Sequence, residues 1–349
     1  MNFKASKTEL KKALDKAHKV MGKEDNKEVV FHFSNDKMMI VSETNYLKHI
    51  TYTPISMENQ PETSLVLEAK KWSDALKGKN RESEFSAKNG KLSFEEVEIN
   101  TVEQKNNFID ISLINFTPFN NSEQFKDIIS RAFSAFVPKE DIYSEYLSLG
   151  DGFVKVLNPH LSFTSKTNEV INGSVNLHQN AVDALDKNSK NDKFEGFLMR
   201  PNGDFYIRTT NDVFVFRSVN GIDFPSLREL KLDTTERFTI NGKELNEALG
   251  VFTLKETNEV IVEQTEENIL EIRNANMQEK KTKINIEGNV PRCLFNIKYF
   301  KAFAAIFSSF EDISIEYSVF DSTSTSNGYL WKYSNGNQFV FIPGIREAE

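Results

Sequence analysis

The sequence predicts an α+β fold in which one unit, two helices packed on antiparallel strands, is used three times. Three observations carry that expectation. Phe238 to Leu249 laid without gaps over Phe3 to Leu14 matches at Phe, Glu, Leu, Ala and Leu, 235 positions apart. Between them, Ser122 to Ile129 puts Phe125 where Leu10 and Leu245 stand. A second helical stretch follows each first one at a similar delay, and an Asn-Gly pair, a strong hairpin signal, comes late in every third: Asn89-Gly90, Asn202-Gly203 and Asn335-Gly336. Weak likenesses that share one order and one spacing reinforce each other. The expected domains are residues 1–118, 119–235 and 236–349.

Each first helix has a legible start. Ser6 and Asn241 are N-cap types, with Glu9 and Glu244 three residues on as capping-box partners. Over 7–23, Leu10, Ala13, Leu14, Ala17 and Met21 fall on one helical side. At 100° per residue, Lys12, Lys16, Lys19 and Lys23 gather on the other. This segment holds six Lys against Glu9 and Asp15, a local excess of positive charge in a chain of formal net charge -8. The second helix, from Ala69, repeats the bias: Lys70, Lys71, Lys77, Lys79 and Arg81 face only Asp74 among acids. Such a surface is either a solvated lysine face or one turned toward phosphates. The other thirds offer less, with Lys126 and Arg131 on the helix of 125–137 and Lys298 and Lys301 on that of 296–307.

Between the helices, alternating apolar patterns predict sheet. In the first third these are 29–33, 38–41, 49–52, 64–67, 83–87, 91–98 and 108–113. In the middle third, 143–149, 153–157 and 161–165 precede a helix beginning near Leu177, and 194–200, 204–208 and 213–218 follow it. The last third repeats the scheme at 259–264, 268–273, 281–287, 313–317, 328–333 and 338–342, with a polar loop at 321–327. Asp223 to Arg228 reads as a proline-stiffened connection.

Composition narrows the function classes. With 39% hydrophobic residues and 29 Phe, each third can bury a core. A single cysteine, Cys293, excludes an internal disulfide framework and fits a reducing compartment. With no run of about 18 apolar residues, a soluble cytoplasmic protein without a membrane partner is expected. The acidic balance argues against indiscriminate nucleic-acid binding. Neither a phosphate-binding glycine loop, a zinc-type His or Cys spacing nor a nucleophile elbow occurs. Glu95 and Glu96, adjacent on an expected strand, would face opposite ways. Neither catalysis nor a metal or cofactor is therefore expected.

Four stretches together resemble the bacterial DNA polymerase sliding clamp, the beta subunit of the replicative polymerase. They are Phe3-x-x-Ser-x-x-Glu-Leu-x-x-Ala-Leu, Asp223-Phe224-Pro225, Asn296-Ile297-x-Tyr299-Phe300 and the terminal Phe339-Val340-Phe341-Ile342-Pro343. The resemblance covers the whole chain in order. It implies a ring of two chains joined head to tail, helices lining the hole and sheets outside, that encircles duplex DNA without reading sequence. The lining residues would be Lys12, Lys16, Lys19, Lys23, Lys70, Lys71, Lys77 and Arg81, with Lys126, Arg131, Lys298 and Lys301 as weaker contributors. It also implies a groove taking short apolar peptides of the polymerase and the clamp loader. Its wall would be Leu157, Asn158, His160 and Leu161, then Pro225, Leu227, Arg228 and Leu230, then Val340, Phe341, Ile342, Pro343 and Gly344. For His160 and Pro225, ordinary loop and linker packing is the competing reading. Two departures stand out: the family's Thr-Asp-Gly-His-Arg-Leu loop is shortened to Asn158-Pro159-His160-Leu161, and the chain runs past Pro343-Gly344-Ile345 into Arg346-Glu347-Ala348-Glu349. A phage-encoded clamp would account for this drift. A repetitive β-rich virion protein, or an enzyme with a site assembled across domains, are the alternatives; the first would not explain lysines concentrated on the helices.

Overall fold

The computed structural model describes residues 1–22, 27–76, 82–137, 143–219, 222, 224, 236–277, 279–321 and 327–345. β1 (Asn2–Ser6) runs straight into α1 (Lys7–Met21), where the Ser6 hydroxyl accepts from the Glu9 N–H and satisfies one of the donors that a helix start leaves open. β2 (Glu28–Phe33), β3 (Lys37–Glu43), β4 (Leu47–Ser56) and β5 (Thr63–Glu68) lead to α2 (Ala69–Ala75). β6 (Glu82–Lys88), β7 (Lys91–Phe94), β8 (Val97–Asn100), β9 (Val102–Lys105) and the two-residue β10 (Thr117–Pro118) follow. α3 (Ser122–Ser134) precedes β11 (Tyr146–Gly150), β12 (Phe153–Asn158), β13 (Leu161–Lys166) and β14 (Ser174–His178). After α4 (Gln179–Asn188) come β15 (Phe194–Met199), β16 (Phe205–Thr209) and β17 (Asp212–Phe216).

The strand-into-helix opening then recurs. β18 (Glu236–Ile240) feeds α5 (Gly242–Leu249), and the Asn241 side chain accepts from the Glu244 N–H at 2.9 Å. β19 (Glu259–Glu266), β20 (Ile269–Asn274), β21 (Lys281–Gly288) and β22 (Cys293–Asn296) lead to α6 (Ile297–Ile306). β23 (Ile313–Asp321), β24 (Asn327–Ser334) and β25 (Gln338–Ile345) close the described chain.

Contacts divide the chain into two compact units, Met1–Glu123 with Asn180–Asn220, and Gln124–Gln179 with Gly221–Glu349. The first holds an antiparallel sheet in the order β10-β15-β16-β17-β4-β1-β6-β7-β8, with β2, β3, β5 and β9 branching from it. The second holds β14-β11-β12-β13-β25-β22-β19-β20-β21-β18-β23-β24, and β24 also pairs with β25. The result is an α+β fold of six described helices on two large antiparallel sheets.

The first core forms because α1 turns Leu10, Leu14 and Ala17, all fully buried, onto a cluster of rings. Trp72 of α2 lies within it, its ring centre 6.4 Å from Phe31, 6.1 Å from Phe85 and 5.5 Å from Phe94. In the second unit Phe295 stacks on Phe300 at 4.6 Å while Trp331 meets Phe295 and Phe238 edge-on at 4.7 and 4.9 Å. Cys293 lies among these groups fully buried, and burial pushes its thiol up to about 12. Gly344 has no alternative here: a Cβ would come within 2.8 Å of the Phe295 ring.

Several expected elements differ. The stretch 91–98 is a hairpin, β7 and β8 with Phe94 opposite Val97, because Glu95 takes a left-handed φ of 50°. Glu95 and Glu96 therefore form a turn, and the Lys7 ammonium pairs with Glu95. Residues 108–113 are not a strand. The Asp110 carboxylate accepts from the Ser112 N–H at 3.0 Å and its hydroxyl at 2.6 Å, and this local capture bends the backbone into a turn at Ile111–Leu113. A similar short turn, Tyr143–Glu145, replaces the start of the strand expected at 143–149. The helix expected near Leu177 begins at Gln179, since Ser174–His178 is held in the sheet against β11. The Asn-Gly signal at Asn89-Gly90 is realised as a tight hairpin with φ of 54° and 70°.

Removing the Trp72 ring leaves a void that Phe31, Phe85 and Phe94 cannot close. Trp72→Ala is expected to cost about 3–5 kcal/mol, read as a fall in the denaturant midpoint of the first unit.

Candidate nucleic-acid interface and peptide groove

The first and second helices pack side by side, stitched by polar groups at their contact. Lys11 Nζ reaches Ser73 Oγ at 3.1 Å and Asp15 at 2.8 Å, and Ser73 donates to Asp15. With the apolar faces turned inward, the opposite faces expose Lys12 and Lys19 on α1 and Lys70 and Lys71 on α2. Burial, followed by the charges of Lys27 and of Lys70 on α2, holds the His18 pKa below its usual value. Lys71 pairs with Glu68 at 2.6 Å, both largely exposed, a contact worth little in water. Among the described residues, Lys12, Lys19 and Lys70 make no ion pair with a carboxylate. Lys23, Lys77 and Arg81 lie outside the described residues.

The second unit's cations are placed differently. Arg131 of α3 gives one nitrogen to Gln338 at 2.6 Å, another to Asp127, and sets its guanidinium over the Phe310 ring at 5.4 Å. It fastens α3 to β25, with only 15% of the side chain exposed. Lys126 is half-buried on the same helix. On α6, Lys298 lies over Tyr299 at 5.6 Å, and burial, then the charge of Lys280, lowers the Lys301 pKa.

Two of the three segments expected to wall a groove meet on a strand seam. β12 and β13 are joined by a two-residue turn, Pro159-His160, with Asn158 opposite Leu161, which is how the shortened loop closes. β13 then pairs with β25, Ser162 opposite Phe341 and Phe163 opposite Val340. Leu157, Leu161, Val340, Phe341 and Ile342 are buried along this seam; His160 and Pro343 stay exposed. The His160 ring lies 4.7 Å from that of Tyr299, and its backbone N–H donates to the Asn158 side chain at 2.9 Å. The Asn158 amide nitrogen is itself buried without an acceptor among the described residues. Pro225, Leu227, Arg228 and Leu230 lie outside the described residues.

No family model matches the sequence, and no curated protein does. Solved structures match over essentially the whole chain. The DNA polymerase sliding clamp of Bacillus subtilis superposes with a TM-score of 0.75 at 15% identity, covering 100% of both chains. That of Pseudomonas aeruginosa, solved with a ligand, gives 0.75 at 14%, covering 99% of this chain and 100% of its own. The Helicobacter pylori beta clamp, bound to a DNA ligase peptide, gives 0.75 at 13% with the same coverage.

The chain has the sliding-clamp fold.

Identity this low in a full-length superposition means the clamp fold is kept by pattern and burial rather than by particular residues. Among the described residues no group of three or more His, Cys, Asp or Glu could hold a metal ion, and no helix is long and apolar enough to cross a membrane.

Within this clamp fold one cluster went unread in the sequence. Lys16, expected on the lining, turns its ammonium to Asp212 at 2.6 Å and Asp192 at 3.3 Å. Asp212 is also bonded to His49 at 3.1 Å, and His49 Nδ1 lies 3.4 Å from the Ser42 hydroxyl. His49 and the Asp212 side chain are fully buried. Burial alone would raise the Asp212 pKa; the bonds and charges of His49 and Lys16 outweigh it and bring it to about 2. Lys16 thus neutralises a buried carboxylate and anchors α1 to β17. No local pattern links positions 16, 49 and 212, so the only sequence signal was an acid at the head of an apolar strand, Asp212-Val213-Phe214-Val215-Phe216.

Removing one partner of this buried set strands the others. Asp212→Ala is expected to cost about 3–5 kcal/mol, measured by urea unfolding at neutral pH. Since the folded pKa of about 2 lies below the ordinary 3.8, the contribution is present above pH 3.8 and disappears as pH falls toward 2. Acid titration of the unfolding midpoint should show that loss in the native chain and lack it in Asp212→Ala.

Proposed function

We propose that this chain is a DNA polymerase processivity factor, a clamp that encircles duplex DNA and tethers a polymerase through short peptides. One observation carries the reading: on the clamp fold, two packed helices concentrate exposed lysines, Lys12, Lys19, Lys70 and Lys71, in a chain whose net charge is -8. A surface facing phosphates must be cationic, and an acidic remainder keeps the chain off DNA elsewhere. Lys23, Lys77, Arg81, Lys126, Lys298 and Lys301 would extend this wall. Lys16 and Arg131 support it from behind through their internal partners. Binding of this kind needs no base contact, catalytic group or cofactor, because topology rather than grip retains the ring.

In this reading the chain is three clamp domains, 1–118, 119–235 and 236–349, and two chains close the ring head to tail in the cytoplasm. Two sheet edges suit that closure. β8 pairs only with β7, and Lys281 to Asn285 of β21 pair only with β20 among the described residues. Open edges of this kind require a partner or protection. The seam of β13 and β25 supplies the peptide groove, with the exposed His160 and Pro343 at its rim. The Helicobacter pylori structure, holding a ligase peptide, supports a peptide site on this fold.

The tests separate wall from interface. Replacing Lys12, Lys19, Lys70 and Lys71 together by Glu should abolish retention on circular duplex DNA and polymerase processivity while leaving the melting temperature unchanged. The slope of log affinity against log salt should shrink by about 7 for the two-chain ring, at roughly 0.9 per phosphate contact and four lysines per chain. Unaltered retention would refute the wall. Glu98→Pro takes an N–H from the outer edge of β8, by the alternation of antiparallel pairing. A dimer falling to a monomer in sedimentation is expected; a native chain already monomeric would remove the ring closure.

A further inference from the structure

The first unit contains a strand seam of the same kind as the one between β13 and β25. β4, the third strand after α1, pairs with β17, the third strand after α4; β13 is the third after α3 and β25 the third after α6. Over this first seam runs the segment from Asn106 to Thr117, and it is held in place. The Asn106 amide donates to the Phe33 and Pro61 carbonyls at 2.9 Å each, and its oxygen accepts from the Phe33 N–H at 3.1 Å. Midway, the Tyr52 hydroxyl donates to the Ile109 carbonyl at 3.0 Å and accepts from the Ile111 N–H at 3.1 Å.

The segment does not fill the space beneath it. A pocket of about 400 Å³ remains, floored by Met39, Val41, Ile50 and Val215 and roofed by Ile111 and Ile114. That volume is within the range of small-ligand and side-chain sites. Two large apolar side chains stand out on the same segment without cover: Ile109 at the pocket lip is 58% exposed, and Leu113 is 81% exposed. The polar lip is mainly cationic, with Lys48, Arg200 and Arg217 against Asp204. Glu43, outside the lining, pairs with Lys48 at 3.2 Å and with Arg217, which leaves the neighbourhood with one net positive charge. Arg200 is exposed and lies over the Tyr206 ring at 5.1 Å.

From this pocket and the charge of its lip we infer that the seam of β4 and β17 is a second docking site, for an extended segment of a partner protein that inserts a leucine-type or aromatic side chain flanked by carboxylates. The site lies on the first unit, separate from the groove of Leu157 and Phe341, and the inference stands on the pocket alone, independent of how that groove is used. The side chain fills the Met39, Ile50 and Val215 floor, Ile109 and Leu113 cover the peptide backbone, and the exposed Arg200 takes its acid.

The probe is an acetylated, amidated tetrapeptide Glu-Leu-Phe-Glu, titrated against the full chain by ligand-observed NMR, with Lys-Leu-Phe-Lys as control. Ile109→Asp and Arg200→Glu alter exposed side chains and should leave the fold intact, which the melting temperature checks. Each is expected to weaken the acidic probe about tenfold, and the basic control should bind about tenfold more weakly than the acidic probe. Equal affinity for the two peptides, affinity unmoved by both substitutions, or loss of binding only in His160→Ala at the other seam would overturn the assignment. So would a change in the mass of the protein in solution on Ile109→Asp, which would make the pocket a contact between copies.

Discussion

Backbone pairing at the strand seams is the constraint on which the rest of the molecule depends. At β4 with β17 and at β13 with β25, strands far apart in sequence complete one another's hydrogen bonds, Ile50 opposite Val213 and Phe163 opposite Val340. A strand left unpaired at such a place would expose a row of donors and acceptors. The pairing fixes where the helices above must lie, since α1 buries Leu10, Leu14 and Ala17 against the same layer. It also shapes the two compact units, since β4 and β17 lie in the first and β13 and β25 in the second.

Charge is sorted by the same geometry. A helix lying on a sheet has one face committed to the core, and whatever faces away is free to carry a single sign. In α1 that separation is nearly complete at Lys12 and Lys19. Where a cation instead finds a buried acid, it becomes part of the framework. Lys16 at Asp212 and Arg131 at Gln338 and Asp127 show this: both look like surface charges in the sequence, yet both tie a helix to a strand.

What was legible in the sequence follows from how local each signal is. Ser6 and Asn241 announce helix starts because capping acts within three residues, and Asn89-Gly90 announces a hairpin because only such residues take that turn cheaply. The amphipathic stripe of α1 needs one turn of helix to be read. Glu95, by contrast, adopts a left-handed backbone that its type does not advertise, and Asp110 folds its own segment out of the sheet by a bond two residues long. The Ser42, His49, Asp212 and Lys16 set escaped notice because its members become neighbours only after β4 and β17 pair. Of the three segments expected to wall a groove, Leu157 to Leu161 and Val340 to Gly344 lie along one seam, and only the family likeness drew them together.

Burial of the lone thiol has a practical side. Cys293 is sealed among Phe295, Trp331 and the backbone of Gly344, and its proton is held far more tightly than at a solvent-exposed cysteine, so alkylating reagents at neutral pH meet almost no thiolate. The native chain is in effect a cysteine-free background, and a spectroscopic label or crosslinker introduced at any chosen surface position would report from that position alone.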